Sequence, residues 1–435
     1  MTQYPIDGFK SSLWFDTAVA EPTTESLNER VSADVLIIGA GITGLNAAIE
    51  LAENHANVVV LDAGVIGGGA SGRNGGQVNL GLNLSPDELI THYGERAARP
   101  LIRAICRTPA TVFDRIRRLG IDCDAEQNGW IQGAVTNKRL RDQHQLADEF
   151  AAHGLEIQRL EQADIARRTG SSRYKGGLFV EQSGSIQPLS YTRELARVAQ
   201  SLGVSVYTHS AVQSLRRLPA NAGWLVSTGL GEVSASQVLV CTNGYTDKTV
   251  SGLAKKVVPA RSIQVATEPL SKDLQAHILP HRSTLVDKRR MILYGRYDRD
   301  GRLTMGDHGP MRDAFCLDDF ADVKQRAIEV FPALQQVRWD YHWGGRLALT
   351  KDSLPFLFAP SPDLLIGMGY NGRGVGMGSM MGLAMASRLL QHDREHAFMP
   401  LTTPNEYVFH AFHRIGAEVV IRWEMLMDRL EDSRN

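Results

Sequence analysis

Three groups of residues in this chain have the types and spacing to hold a long phosphorylated ligand and do chemistry on it. Gly39, Gly41 and Gly44 stand at G-x-G-x-x-G spacing directly after the apolar run Val35-Leu36-Ile37-Ile38. Glycines so placed make a tight turn, let a pyrophosphate approach the backbone and let a helix pack closely on its strand. Ile42 and Thr43 open that helix, whose free amides and dipole face an anion. A second apolar run, Val58-Val59-Val60-Leu61, leads about twenty residues on to Asp62-Ala63, where an acid binds ribose hydroxyls. The second group is Gly67-Gly68-Gly69-Ala70-Ser71-Gly72-Arg73-Asn74-Gly75-Gly76-Gln77, in which seven of eleven residues are glycine or alanine. So little side chain cannot pack a core. Its backbone reads as exposed for a ligand, with Arg73 for phosphate and Ser71 and Asn74 as hydrogen-bond partners. The third group, Gly369-Tyr370-Asn371-Gly372-Arg373-Gly374-Val375-Gly376, precedes an apolar helix. If the first and last groups touch one cofactor, that cofactor is long, and FAD fits better than NAD.

Further runs extend the pattern: Ser183-Gly184-Ser185-Ile186-Gln187-Pro188, Val238-Leu239-Val240-Cys241-Thr242-Asn243-Gly244-Tyr245-Thr246, Ala266-Thr267-Glu268-Pro269-Leu270 and Trp343-Gly344-Gly345-Arg346. With these, the chain resembles the FAD-dependent amine and amino-acid oxidases of the D-amino-acid oxidase (DAO) family, which includes glycine oxidase and sarcosine oxidase. Within it the chain is most similar to the γ-glutamylputrescine oxidase and bacterial pipecolate oxidase branches. The resemblance runs from about residue 33 to 390, and members commonly have His in place of Gln187. It implies an α/β fold in which a Rossmann-type FAD-binding domain is interleaved with an α+β, antiparallel-sheet substrate domain. The expected division is an N-terminal extension at 1–31, an FAD domain from 32–95, 160–245 and 343–400, a substrate domain from 96–159 and 246–342, and a C-terminal helical extension at 401–435. Val212 falls where the family passes the adenine, and Thr242, Asn243, Gly244 and Arg346 lie in matched runs. Sarcosine oxidase-like relatives attach FAD through a cysteine. Cys316, in Phe315-Cys316-Leu317-Asp318-Asp319, does not match that position, so a non-covalent FAD is expected.

When a flavin accepts hydride, negative charge builds over N1 and the C2 carbonyl, and bare amides at a helix start stabilise it. Gly372, Gly374 and Gly376 leave those amides bare, and Arg373 adds a positive charge or pairs with a surface acid. In glycine oxidase-like relatives an arginine near Arg346 holds the substrate carboxylate. No catalytic acid or base is evident. The substrate pocket is expected to be aromatic and partly dry, with Tyr294, Tyr341, Trp343 and Tyr370 as candidate walls. Tyr294 and Arg296 are two apart on one strand, so both point at substrate or neither does. The reaction that the resemblance implies is oxidation of a C–N bond to an imine, with O2 giving hydrogen peroxide and a γ-glutamylputrescine-like conjugate favoured as substrate. The alternatives are an amino-acid or imino-acid dehydrogenase feeding the respiratory chain, and a non-catalytic flavoprotein subunit.

Composition agrees. At 435 residues the chain exceeds one hydrophobic core. A formal net charge of -1 argues against nucleic acid. Cys106, Cys123, Cys241 and Cys316 form no C-x-x-C pair and read as reduced cytoplasmic thiols. No signal peptide or membrane-spanning run is evident, with Trp14 and Phe15 possible packing anchors. His392-Asp393-Arg394-Glu395-His396 satisfies H-x-x-E-H, but it falls at a frayed helix end, and no metal is expected. Periodicity predicts two helices over 87–120 with Pro109 at a start, a helix over 140–153, a strand at 155–157, and a hairpin turning at 298–301. The terminal helix over 407–430 carries Phe409, Phe412, Ile415, Val419, Trp423, Leu426 and Leu430 at helical spacing. It is read as folded back on the protein, or as a dimer or peripheral membrane surface.

Overall fold

The apolar run before Gly39 lies in the middle of a sheet, as its unbroken hydrophobicity requires of a strand covered on both faces. The computed structural model describes residues 8–287, 289–390, 397–408 and 410–432. Among these, two eight-stranded sheets and a two-stranded ribbon organise the chain. The first sheet runs Phe356–Ser361, Leu364–Met368, Glu232–Val240, Arg30–Ile38, Val58–Leu61, Ser205–Tyr207, and its other two strands branch off Glu232–Val240 as an antiparallel pair, Trp224–Ser227 and then Ser214–Arg217. From Leu364–Met368 to Ser205–Tyr207 the neighbours are parallel. The helix Ile42–Glu53 packs against the helix Gly374–Leu390, and their approach is close because Gly378 and Gly382 face it. A Cβ at Gly382 would sit 2.4 Å from the Thr43 carbonyl oxygen. The two glycine-led helices, more than three hundred residues apart in sequence, thus lie side by side.

The second sheet runs Trp339–Leu349, Val258–Pro269, Arg302–His308, Leu293–Tyr297, Thr284–Asp287, Trp130–Ala134, Gly176–Val180, Gln158–Glu161. Its pairs are antiparallel except for Thr284–Asp287 with Trp130–Ala134, which are drawn from distant segments and run parallel. Strand alternation puts Trp343, Gly345, Ser262, Gln264, Tyr294, Arg296, Gly306 and His308 on one face, toward the first sheet. The expected boundaries at 160 and 343 cut through this sheet. Gln158–Glu161, Gly176–Val180 and Trp339–Leu349 all pair within it, because their hydrogen-bonding neighbours are substrate-sheet strands.

The hairpin forms as expected, with Gly301 at φ 81 closing its turn. Pro109 does not start a helix. Glu95–Leu119 is continuous through Pro100 and Pro109, and the Thr108 hydroxyl donates to the Ala104 carbonyl in the turn just before Pro109. The strand expected at 155–157 forms at Gln158–Glu161. The last helix is His413–Asp432. Tyr407 and Ala417 pack on Val258, Ala260 and Met311, while Phe412, Val419 and Trp423 are exposed. Phe409 and the side chains of Ile415, Leu426 and Leu430 lie outside the described residues, as does the H-x-x-E-H run. No described helix is long and apolar enough to cross a membrane.

Candidate cofactor and active site

Between the two sheets lies a cavity of about 730 Å3. Its walls bring together Gly39, Gly41, Ile42, Thr43, Asp62 and Ala63 from the first motif, and Ala70, Ser71, Arg73, Asn74, Gly75 and Gln77 from the second. Val212, Thr242 and Asn243 join them, with Arg346, Tyr370, Asn371, Gly372, Arg373, Gly374 and Val375 from the last part of the chain. Gly44, Gly72, Gly76, Gly244 and Gly369 stand behind this lining as packing positions. A Cβ at Gly44 would lie 2.0 Å from the Gly39 carbonyl oxygen, and one at Gly76 would lie 2.2 Å from that of Ile186.

The ribose-binding acid is preset. The Ala40 and Gly64 amides donate to the two oxygens of Asp62 at 2.8 and 2.9 Å, while burial pushes its carboxyl up from the usual range. The Ser71 hydroxyl accepts from the Ile42 amide at 3.0 Å, so the second loop is bound to the helix start where a diphosphate would sit. At the far loop, the Asn243 carboxamide oxygen accepts from the Gly369 amide, and that of Asn371 accepts from the Thr350 amide, each at 2.9 Å. Gly369, Asn371 and Gly372 all adopt positive φ, which turns the chain sharply into the helix start. Tyr370 is 5 % exposed and its hydroxyl lies 2.8 Å from that of Thr43, tying the two glycine loops together.

Two buried amides identify what the cavity accepts. The Gln264 Nε2 donates to the Arg73 carbonyl at 2.6 Å, which can only accept, so Gln264 Oε1 is fixed facing away and has no partner among the described residues. Likewise Gln77 Nε2 donates to the Leu285 and Gly295 carbonyls, Gln77 Oε1 accepts from Asn79 Nδ2, and Asn79 Oδ1 is left without a partner among the described residues. Both Gln264 and Asn79 line the cavity. An unsatisfied buried acceptor is costly, so each orphan calls for an N–H or O–H brought by a ligand. With the bare helix starts and the ribose acid, the residues present fit FAD.

The candidate substrate residues separate into two sets. Tyr294 lines the cavity, its hydroxyl 2.8 Å from that of Ser262. Arg296 shares its face but is spent behind the lining, donating to the Gly75, Tyr297 and Ile186 carbonyls. The either-or expectation fails because the shared face spans both the cavity and the Gly75-Gly76 backbone. Trp343 is fully buried, edge-on to Trp14 at 5.6 Å, and Tyr341 packs in the same cluster, so neither is a cavity wall. Arg346 reaches the cavity but is held by both oxygens of Asp313 at 2.8 and 2.7 Å. Arg373 has no carboxylate partner among the described residues. It lies 4.7 Å from the Trp130 ring and its Nε donates to Asn83 Oδ1 at 2.8 Å. Burial pushes its guanidinium down to about 10, so it keeps its charge at neutral pH. Residues that sequence reasoning missed are Ser262, Gln264, Asn79, Asn83 and His308. The strand alternation that carries Tyr294 and Arg296 could have flagged Gln264 and His308, but nothing local marks the two asparagines.

Residues 34–388 match the family described as FAD dependent oxidoreductase, DAO. The chain is 33% identical over 375 residues to gamma-glutamylputrescine oxidoreductase from Escherichia coli K12, spanning 85% of this chain and 86% of that protein. It is 30% identical over 427 residues to "Probable oxidoreductase OrdL" from Haemophilus influenzae, spanning 96% and 97%. The crystal structure of glycine oxidase from Geobacillus kaustophilus shares the fold, with a TM-score of 0.70 at 21% identity over 83% of this chain and 96% of that one. A match running through both glycine loops and both sheets leaves one assignment: this chain belongs to the DAO family of FAD-dependent oxidoreductases, and FAD is its cofactor.

Proposed function

We propose that this enzyme oxidises a C–N bond of an amine that also carries a carboxylate, with a γ-glutamylputrescine-like conjugate as substrate and O2 as acceptor. The observation that carries this reading is Arg373, a cavity-lining arginine that keeps its charge and has no carboxylate partner among the described residues. A substrate bearing an anion supplies that partner. The 33% identical relative named for γ-glutamylputrescine supports the choice of conjugate. The chemistry that a bound FAD would supply, held by the loops at Gly39, Ser71 and Gly372, is acceptance of a hydride from the carbon next to nitrogen.

The chain's own residues prepare that step. Val286, Ile292, Tyr294, Leu347 and Val375 give the cavity apolar walls that exclude water from the substrate's methylenes. Exclusion of water also favours the neutral amine, whose lone pair must be free. In water an amine of pKa about 10.4 is neutral to about one part in 2,500 at pH 7, a deficit of about 4.6 kcal/mol. His308 lines the same wall, with Nδ1 3.4 Å from Asp307 Oδ1. FAD is held without a covalent link: burial pushes the cavity-lining Cys241 thiol up to about 12, far from a reactive thiolate, and Cys316 lies away from the cavity lining. The exposed Val419, Val420 and Trp423 on the last helix favour a second reading, a dehydrogenase docked at a membrane and passing electrons to a respiratory acceptor.

The test is stopped-flow reduction with γ-glutamylputrescine under anaerobic conditions across pH 6 to 9. The expected rate rises with pH, by up to about tenfold per unit while the ammonium form dominates. A flat profile over that range contradicts the requirement for a neutral amine.

A further inference from the structure

The glycine loop 67–77 makes bonds of its own, Arg73 Nε to the Gly68 carbonyl and Asn74 Nδ2 to the Ser71 carbonyl, each at 2.8 Å, and the carbonyls that follow, from Arg73 to Gly75, are gripped from outside. Gln264 Nε2 and Trp343 Nε1 donate to the Arg73 carbonyl, at 2.6 and 3.1 Å. Arg296 Nε donates to the Gly75 carbonyl at 2.8 Å, and Trp14 Nε1 to the Asn74 carbonyl at 2.8 Å. Three of these donors belong to the second sheet, and Trp14 lies in a segment ahead of the first strand.

That segment is fastened on both sides of the cavity. The Ser11 hydroxyl donates to the His342 carbonyl at 2.9 Å in the second sheet. On the other side, Gln187 Nε2 donates to the Trp14 carbonyl at 2.9 Å. Trp14 is fully buried between Trp343 and the Arg296 guanidinium, which stands 4.4 Å from its ring. Phe9 reaches the cavity itself, with the Arg73 guanidinium 5.2 Å from its ring.

We propose that residues 8–17 form a strap that fixes the cofactor loop, with Trp14 as a positioning residue for FAD retention and Phe9 closing the cavity over Arg73. A run of glycines has more backbone freedom to lose than any other sequence. Each carbonyl gripped beforehand removes part of that loss from the binding step, as preorganisation does generally. The strap acts on the part of FAD that passes the loop. It leaves untouched the adenosine end at Asp62 and Val212, which no strap residue reaches by any of these bonds.

The experiment titrates apoprotein with FAD by flavin fluorescence, with adenosine, which carries no phosphate to reach the loop, as a competitor. Trp14→Phe keeps a ring beneath Arg296 and against Trp343 but loses the indole N–H. The Kd for FAD is expected to rise about tenfold, the equivalent of one hydrogen bond of about 1.4 kcal/mol, with the Kd for adenosine unchanged. Phe9→Ala, at the cavity rim, is expected to raise the Kd for FAD about threefold or more, again without moving that for adenosine, and it carries the test if Trp14→Phe does not fold. Unchanged FAD affinity, or FAD and adenosine affinities falling together as in a general destabilisation, overturns the proposal.

Discussion

Gly44→Ala should abolish useful FAD binding. A Cβ there would stand 2.0 Å from the Gly39 carbonyl oxygen and 3.1 Å from Ile37 Cγ2, and neither backbone nor buried strand can retreat. The helix Ile42–Glu53 must lift off its strand, and it is itself wedged against Gly378 and Gly382 of the helix Gly374–Leu390. Overpacking at a closed contact costs about 3 kcal/mol or more, so FAD affinity falls by at least about a hundredfold. Gly372→Ala makes the contrast. Its Cβ meets nothing within 4 Å, and the cost is that of placing alanine at φ +85, about 1–2 kcal/mol. Equilibrium dialysis of FAD against the two apoproteins checks the ranking. A Gly44→Ala protein that binds FAD within tenfold of the parent would show that close helix-strand packing is not what this glycine supplies.

Arg373→Met should cost about two to three orders of magnitude in kcat/KM for γ-glutamylputrescine, mostly through KM, with FAD still bound. A charge-assisted contact from a guanidinium to a carboxylate contributes about 1.5–3 kcal/mol for each strong hydrogen bond, and a planar fork makes two. Arg373→Lys should recover only part of this, because a lysine keeps the charge but neither the fork, the Nε bond to Asn83 nor the guanidinium's place over the Trp130 ring. The internal control is putrescine, which has no carboxylate. Its kcat/KM should move little in Arg373→Met, so the preference for the conjugate collapses. Equal losses for both amines would show that Arg373 serves the cofactor or the chemistry and not the anionic end of the substrate.

The cofactor half of the site was legible because glycine spacing encodes backbone approach directly. Gly39, Gly41 and Gly44 and the acid at Asp62 each leave a local mark, and the loops at 67 and 369 do the same through missing side chains. Their meeting in one cavity was inferred from cofactor length, and the structure supplies the physical link in Tyr370, Thr43, Gly378 and Gly382. The substrate half was less legible because its side chains are sorted by contacts that sequence does not display. Arg296 and Trp343 looked like pocket residues by type, yet both are consumed in holding backbone carbonyls of the glycine loop. Arg346 and Arg373 are indistinguishable in sequence, and only Asp313, drawn in from a separate loop, divides an ion-paired arginine from one that has no carboxylate partner among the described residues. Domain edges at 160 and 343 were misplaced for a related reason: which sheet a short strand joins depends on partners far along the chain.

The most direct test of the account is anaerobic titration of the FAD-loaded protein with γ-glutamylputrescine, putrescine, pipecolate, proline and small D- and L-amino acids, followed in the visible flavin band. The account predicts stoichiometric bleaching by γ-glutamylputrescine at concentrations where putrescine bleaches little, and fast recovery of the band with peroxide when air is admitted. Bleaching by pipecolate or proline alone, with slow recovery in air, would contradict the substrate and the acceptor together and favour the respiratory dehydrogenase. A flavin band that no amine or amino acid bleaches would contradict the central claim that this cavity oxidises a C–N bond.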